Sequence, residues 1–258
     1  MSMNRITTVL FDLGDTLLNF GRFRTLPVFR AGARASYDYL KSLDQPVGSF
    51  RVYLWRNLMQ LRARRLLSSI TRNDFDVVAL FQREGARRRF HLTDEQWLEF
   101  AWKWYEPLSR IAKVEPDMKD TLESLRAKGL QLGILSNTFV AGDSLDRQLK
   151  QAGLLEFFPV RLYSYQFEFR KPDPRIFEAA CKEIGAEPEN VLFVGDRIDA
   201  DIIPAMKMGM HAALKDGHHN AGKPTPAGAH RITTIAELPA LVEAIDGNVE
   251  RQERSATA

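Results

Sequence analysis

Apolar runs alternate with amphipathic segments along most of the chain. Short aliphatic and β-branched runs predict six strands, at residues 6–11, 130–135, 160–165, 191–194, 211–214 and 231–235. Apolar residues at helical spacing predict helices at 117–128, 144–152, 174–184, 202–208 and 238–245. A regular alternation of strand and helix is typical of βαβ units and a parallel sheet. We therefore predict an α/β fold with a Rossmann-like parallel sheet.

Between the first and second strands the strand pattern disappears. Helical spacing predicts four helices there: residues 26–43, residues 50–70, a third capped by Asn73 or Asp74, and a fourth that opens at Thr93 with a capping box. This block leaves from the carboxyl end of the first strand, where open parallel sheets bind their ligands. We expect it to form a helical cap over that edge of the sheet.

These patterns predict a division of the chain. Residues 1–19 and 112–247 would form the Rossmann-like catalytic core, and residues 20–111 the helical cap. Residues 248–258 are polar, and we expect them to form a disordered tail.

Composition places limits on the function. The 258 residues are 45% hydrophobic and 27% charged, with a net charge of +3 and one cysteine, Cys181. Membrane spans need about 18 consecutive apolar residues, and the chain has no such run. The N-terminus lacks a signal-peptide pattern. We expect a cytoplasmic protein without a membrane partner, in which Cys181 packs in the core.

The predicted cap is basic, with 17 Lys and Arg against 9 Asp and Glu between Phe20 and Arg110. This excess is typical of solvated helix faces, but it would also attract an anionic substrate or nucleic acid. Trp97, Trp102 and Trp104 are interpreted as cap core, and nucleic acid is the less favoured partner. His218-His219 lies in a loop rich in Gly and Pro and is expected to be exposed; metal ligation is the alternative.

Polar residues follow four of the apolar segments. They are Asp12 and Asp15, Ser136 and Asn137, Lys171, and Asp196 with Asp199 and Asp201. Carboxylates that converge at one sheet edge repel one another unless a cation lies among them. A hard cation with oxygen ligands, Mg²⁺, would remove this repulsion. Lys171, Ser136 and Asn137 could then hold the oxygens of a phosphoryl group.

The four segments Asp12-Leu13-Gly14-Asp15-Thr16, Ser136-Asn137, Lys171-Pro172-Asp173-Pro174 and Gly195-Asp196 to Asp201 resemble the four ordered motifs of the haloacid dehalogenase-like hydrolase superfamily. The resemblance covers residues 6–245 and includes a helical cap after the first motif.

The resemblance implies a role for each matched position. Asp12 would be the nucleophile that forms an aspartyl intermediate, and Ser136 would hold the transferring group. Lys171 matches the lysine of the third motif. Asp12, the Gly14 carbonyl, Asp196 and Asp201 would surround Mg²⁺. Asp199 has no family role, and we interpret it as an exposed loop charge.

Gly14 departs from the family pattern. Typical phosphatases of the superfamily have an aspartate two residues after the nucleophile, which protonates the leaving group and activates water. Glycine can do neither. We therefore hypothesise that Asp15 acts as the acid/base, or that only substrates with good leaving groups react quickly.

Three functions remain open on this reading. The first is a Mg²⁺-dependent phosphatase acting on a small phosphorylated metabolite, and the acids of the fourth motif favour it. The second is a dehalogenase-like hydrolase that needs no metal, in which Asp12 attacks carbon. The third is a weakly active or non-catalytic binding protein that keeps the fold.

Overall fold

The computed structural model describes residues 5–71 and 73–256. It contains a six-stranded, entirely parallel sheet in the order β3-β2-β1-β4-β5-β6. The strands are β1 (Thr8–Phe11), β2 (Gln131–Ser136), β3 (Val160–Tyr163), β4 (Val191–Gly195), β5 (His211–Lys215) and β6 (His230–Ile232). This sheet confirms the predicted α/β, Rossmann-like fold.

The central strand β1 pairs in register with β2 and β4, its neighbours in the sheet. Its last residue, Phe11, pairs with Ile134 of β2 on one side and with Val194 of β4 on the other. All four residues of β1 are buried. The carboxyl ends of these three strands therefore meet at the same edge, as open parallel sheets require of a binding crevice.

Nine helices lie in the described part of the chain. They are α1 (Thr25–Ser42), α2 (Phe50–Thr71), α3 (Val77–Arg87), α4 (Asp94–Ser109), α5 (Met118–Ala127), α6 (Gly142–Gln151), α7 (Pro174–Ile184), α8 (Ile203–Lys207) and α9 (Leu238–Ala256). None of them combines the length and the apolar character that crossing a membrane needs.

Both faces of the sheet are covered, because alternate strand residues point to opposite sides. Val9 and Phe11 belong to one hydrophobic cluster, which includes residues of α5, α6 and α9. Leu10 belongs to a second cluster, which includes Phe177 and Ala180 of α7. The strands are therefore buried on two sides, which explains why their sequences are continuous apolar runs.

Helices α1 to α4, here called the helical insertion, have a hydrophobic cluster of their own, formed by Ala33, Leu40, Tyr53, Phe90, Trp97 and Phe100. The chain leaves and re-enters the core at neighbouring points, where the backbones of Asn19 and Lys113 exchange two hydrogen bonds of 2.8 Å. These contacts support the proposed division into core and cap at residues 20 and 111.

Two boundaries differ from the sequence prediction. The cap of α3 is Asp76, whose Oδ1 accepts from the amides of Val78 and Ala79, and not Asn73 or Asp74. Helix α9 continues to Ala256, so the predicted disordered tail is wrong for residues 248–256; residues 257–258 lie outside the described residues. Glu, Arg, Gln and Ala in this stretch are strong helix formers, which favours the continuation.

The tryptophans and Cys181 are packing residues. Trp97 is buried in the insertion cluster, and Trp104 packs against that cluster, as predicted. Trp102 instead belongs to the cluster on the first face of the sheet. Cys181 is buried on α7, where burial raises the pKa of its thiol to about 11. Its expected role in packing is confirmed.

Candidate active site

Three carboxylates meet at the carboxyl edge of the sheet. Asp12 follows β1, Asp196 follows β4, and Asp201 lies on a wide helical turn at 198–202. All three are buried, and each offers an oxygen within 4.8 Å of the others. The structure thus brings together three of the residues that the sequence placed at strand ends. We call this set the acidic triad.

Backbone hydrogen bonds position the acidic triad. The Asp12 amide donates to the carbonyl of Val194 at 2.8 Å, which extends the ladder between β1 and β4 by one residue. The Asp201 side chain accepts from the Arg197 amide at 3.0 Å. Main-chain hydrogen bonds therefore fix the backbone of Asp12 and the carboxylate of Asp201.

Lys171 supplies positive charge to the acidic triad. Its Nζ lies 2.7 Å from Asp12 Oδ1 and 2.6 Å from Asp201 Oδ1, and it donates to the Leu135 carbonyl at 2.9 Å. Its side chain is almost fully buried. Burial alone would lower the pKa of Lys171, but the two carboxylates raise it above its ordinary value. Lys171 therefore stays charged.

Asn137 holds the backbone of Lys171 rather than pointing into free space. Its Nδ2 donates to the Lys171 carbonyl at 2.8 Å, and its Oδ1 accepts from the Lys171 amide at 2.9 Å. These bonds support a role for Asn137 in positioning Lys171, and its predicted contact with substrate oxygens stays a prediction. Ser136 ends β2 and is buried directly after Leu135, whose carbonyl receives the lysine.

The carboxylates carry more charge than Lys171 can balance. Burial is the largest cause that raises the pKa of Asp12 to about 6, with Asp201 adding to it and Lys171 opposing it. Burial, followed by the charges of Asp12 and Asp201, raises the pKa of Asp196 to about 8. These shifts indicate an electrostatic cost of ionising the group as a whole.

A divalent cation fits this arrangement. Among the described residues Asp196 Oδ2 has no hydrogen-bond partner although it is buried, which is costly for a polar atom unless something binds it. Three carboxylates around a single ammonium form the oxygen-rich, anionic donor set that Mg²⁺ favours. Gly14 lies in the half-buried turn after Asp12, and its carbonyl as a ligand stays a prediction.

Asp15 lies outside the acidic triad. Its backbone has a φ of 59°, and its Oδ1 accepts from the amides of Phe20 at 2.8 Å and Gly21 at 3.1 Å. Its other oxygen faces His218 and His219. Asp15 as the acid/base therefore remains a hypothesis that would require these contacts to change.

Residues 6–209 match the family model described as haloacid dehalogenase-like hydrolase. The chain belongs to this family. The resemblance inferred from the four motifs is thereby confirmed.

Curated relatives of this hydrolase include phosphatases. The chain is 35% identical over 99 residues to glyceraldehyde 3-phosphate phosphatase of Methanothermobacter thermautotrophicus. That alignment covers 38% of the chain and 43% of the relative, so less than half of the relative is matched. N-acylneuraminate-9-phosphatase of Rattus norvegicus is 24% identical over 257 residues, which cover 96% of this chain and 98% of that protein.

A solved structure agrees with the fold. The 2-haloacid dehalogenase from Pseudomonas syringae pv. Tomato DC3000 superposes with a TM-score of 0.62 at 25% identity. The match covers 93% of this chain and 98% of the dehalogenase. The similarity thus includes the helical insertion as well as the sheet.

Some residues that contact the site of this HAD-like hydrolase could not be predicted from the sequence. Asn220 is buried, and its Nδ2 donates to the carbonyls of Asp196 at 2.8 Å and Lys215 at 2.7 Å. It ties the loop after β5 to the acidic triad. In the sequence it is one more polar residue in a polar loop, so only the tertiary contact reveals it.

A second missed contact joins the helical insertion to the site. Asp74 pairs with Arg170 at 2.8 Å and accepts from the hydroxyl of Ser164. Next to it, the rings of Phe75 and Phe139 are stacked with centroids 5.1 Å apart. The insertion is therefore anchored beside Lys171. Asp199, by contrast, is exposed and paired with Arg197, which confirms the predicted exposure, although it lies on the helical turn at 198–202 and not in a loop.

Proposed function

We propose that this hydrolase is a Mg²⁺-dependent phosphatase that acts on a small phosphorylated metabolite. The observation that carries the proposal is the acidic triad, in which Lys171 is close to two of the three carboxylates and the buried Asp196 Oδ2 has no hydrogen-bond partner in the described part of the chain. A dehalogenase that uses no metal would gain little from this buried negative charge.

Asp12 is the proposed nucleophile. One carboxylate oxygen of Asp12 would bond to phosphorus while the bond from phosphorus to the leaving oxygen breaks, which gives an aspartyl phosphate. Water then attacks phosphorus and releases inorganic phosphate and the free carboxylate. Lys171, held 2.7 Å from Asp12 Oδ1, keeps the carboxylate oriented and ionised.

The remaining groups would bind the phosphoryl oxygens. The hydroxyl of Ser136, at the end of β2, is the proposed contact on one side, and the ammonium of Lys171 would balance charge as it develops. A divalent cation held by Asp12, Asp196, Asp201 and the Gly14 carbonyl would neutralise the phosphate and polarise its oxygens.

The relatives and the helical insertion support a phosphorylated substrate. The relatives named above are phosphatases of small molecules by name. The region between Phe20 and Arg110 carries 17 basic and 9 acidic residues, a charge excess that would attract an anion to the edge of the sheet. A cytoplasmic location, predicted from the single cysteine, stays a prediction.

A second candidate function is dehalogenation. Two observations favour it. First, Gly14 offers no acid for a leaving group, and halide needs none because it leaves carbon without protonation. Second, the similarity to the 2-haloacid dehalogenase covers 93% of the chain. In that reaction the Asp12 carboxylate would displace halide from carbon, and water would hydrolyse the resulting ester.

One set of assays tests both candidates. Phosphate release from sugar, nucleotide and carboxylate phosphates is measured with Mg²⁺ and with EDTA, and halide release from 2-haloacids is measured in parallel. We expect phosphate release that EDTA and Asp12→Asn both abolish. Asp199→Asn is the matched control, because it removes an exposed carboxylate from the same segment.

Each outcome has a different meaning. Halide release that persists in EDTA would replace the phosphatase by the dehalogenase. No turnover of any substrate in either assay would overturn both and favour a binding protein that keeps the fold.

A further inference from the structure

Two adjacent histidines and a carboxylate face one another beside the acidic triad. Nε2 of His218 lies 3.9 Å from Asp15 Oδ2, and Nε2 of His219 lies 3.5 Å from the same oxygen. The three ligand atoms all fall within 4.8 Å of one another. The two imidazole rings lie against each other, with centroids 3.9 Å apart.

These separations do not describe a good hydrogen bond. An N–H···O bond has its atoms about 2.7–3.2 Å apart, whereas both histidine nitrogens are farther from the oxygen. Around a bound metal, by contrast, ligands at about 2.0–2.2 Å are about 3–3.5 Å from one another. The two separations from Asp15 Oδ2 are close to that spacing, and the ligand nitrogens of the two histidines lie within 4.8 Å of each other.

The imidazoles are suited to metal binding in their neutral form. A neutral imidazole nitrogen keeps the lone pair that a metal requires. Two adjacent imidazoles that face one carboxylate therefore form an N,N,O donor set.

The carboxylate of the cluster is fixed before any ion binds. The amides of Phe20 and Gly21 hold Asp15 Oδ1, which leaves Oδ2 facing the histidines. Hydrogen bonds of this kind orient the ligands of known metal sites.

The loop that carries the histidines is also anchored. Asn220, the residue after His219, is buried and bonded to the carbonyls of Asp196 and Lys215. It also faces the amide of Gly217 at 3.4 Å. Two independent segments of the chain therefore bring their ligands to one point.

We propose that Asp15, His218 and His219 bind a divalent transition-metal ion of the Zn²⁺ class, at a site separate from the acidic triad. Imidazole nitrogen favours Zn²⁺, Co²⁺ and Ni²⁺, whereas an all-oxygen set suits Mg²⁺. The two sites therefore differ in the ion that they select. Three protein ligands leave at least one coordination position open. The proposal does not rest on the phosphatase function.

Metal titration tests the site directly. Untagged, metal-stripped protein in excess Mg²⁺ is titrated with Co²⁺, followed by visible absorption and by equilibrium dialysis, and Zn²⁺ is then added to displace it. We expect the His218→Gln/His219→Gln variant to bind one equivalent less than the wild type. His219→Gln alone should weaken that equivalent by at least about 10-fold.

Controls separate this site from the acidic triad. His91→Gln removes an exposed histidine of the helical insertion and should leave binding unchanged. Asp12→Asn should retain the histidine-dependent equivalent even where turnover is lost. Circular dichroism verifies that each variant is folded. Equal stoichiometry and affinity in the wild type and the double histidine variant would overturn the proposal, whatever the substrate assays show.

Discussion

Lys171 and the carboxylates that it contacts contribute differently to the stability of the site. Its ammonium lies within 2.7 Å of both Asp12 and Asp201, and all three side chains are buried. Removing one member of a buried ion pair leaves the other charge desolvated and unpaired. The lysine therefore stabilises the metal-free site more than any one of the three carboxylates does.

Two variants test this difference between the lysine and the carboxylates. We expect Lys171→Met to lower the free energy of unfolding of the metal-free protein by about 3–5 kcal/mol, because the buried carboxylates lose their counter-charge. Asp12→Asn should cost much less, since it removes one of three like charges. Urea denaturation at neutral pH measures both. Equal losses in the two variants would contradict the argument.

Gly14 sits next to the nucleophile with room for a side chain. Among the described residues other than its two chain neighbours, a Cβ at Gly14 would meet only Phe20 Cε2, at 4.0 Å. The family's usual aspartate would occupy this position. The proton donor is thus missing from the sequence and not excluded by the packing around it.

Installing that donor is a test at the level of one residue. We expect Gly14→Asp to raise turnover of alkyl phosphates, which have poor leaving groups, by up to about 100-fold, because general acid catalysis becomes possible. Aryl phosphates should change little. Gly14→Ala is the control and should give no gain. An equal increase for both substrate classes would argue against proton donation as the missing step.

At the scale of elements, β4 and the turn that follows it are packed too closely for a side chain. A Cβ at Gly195 would lie 2.6 Å from both Cβ and Oδ2 of Asp201. The turn at 198–202 can therefore return Asp201 to the end of β4 only because Gly195 has no side chain. This glycine serves a close approach and not a turn conformation.

Gly195→Ala should displace Asp201 from the acidic triad. We expect a loss of about 1–3 kcal/mol in stability, which is typical of overpacking, and a weaker response to Mg²⁺. Gly217→Ala is the matched control: its Cβ would lie 3.8 Å from Asp196, an ordinary contact. Calorimetric titration with Mg²⁺ measures the affinity. Unchanged Mg²⁺ binding in Gly195→Ala would show that the turn adapts without cost.

The elements themselves were largely predictable from sequence. The strand predicted at 191–194 is found at Val191–Gly195, because a short apolar run between turn residues has few other solutions in a parallel sheet. The cap of α3 was not predictable in this way. Three polar candidates lie within four residues, and Asp74 is instead engaged with Arg170, 96 positions away in the chain.

At the scale of the whole molecule, the site joins distant parts of the chain. Local patterns placed Asp12, Lys171, Asp196 and Asp201 at one edge, since parallel strands end on the same side. Local patterns could not reveal the hydrogen bond from Asn220 to the Asp196 carbonyl. Nor could they reveal that Asp15 faces His218 and His219. Both contacts involve loop residues, whose sequence has no periodicity. The site residues that follow strands were therefore predictable from the sequence, and the contacts made by loop residues were not.

The buried charge also makes stability depend on pH. The folded-state pKa values of Asp12, about 6, and Asp196, about 8, lie above the ordinary value of 3.8. Between pH 4 and 8 the metal-free folded state thus holds protons that the unfolded chain has released. The contribution of these two carboxylates to stability therefore falls as pH rises through this window. Mg²⁺ binds the ionised carboxylates, so it opposes the loss where they are deprotonated.

Thermal unfolding checks this dependence. We expect the metal-free protein to melt at a lower temperature at pH 8 than at pH 5.5. Saturating Mg²⁺ should raise the melting temperature by about 2–8 °C at pH 8 and by much less at pH 5.5, where protons compete for the same oxygens. Asp196→Asn should abolish most of this shift, and Asp199→Asn should keep it. A Mg²⁺ shift of equal size at both pH values would mean that the ion binds away from the acidic triad.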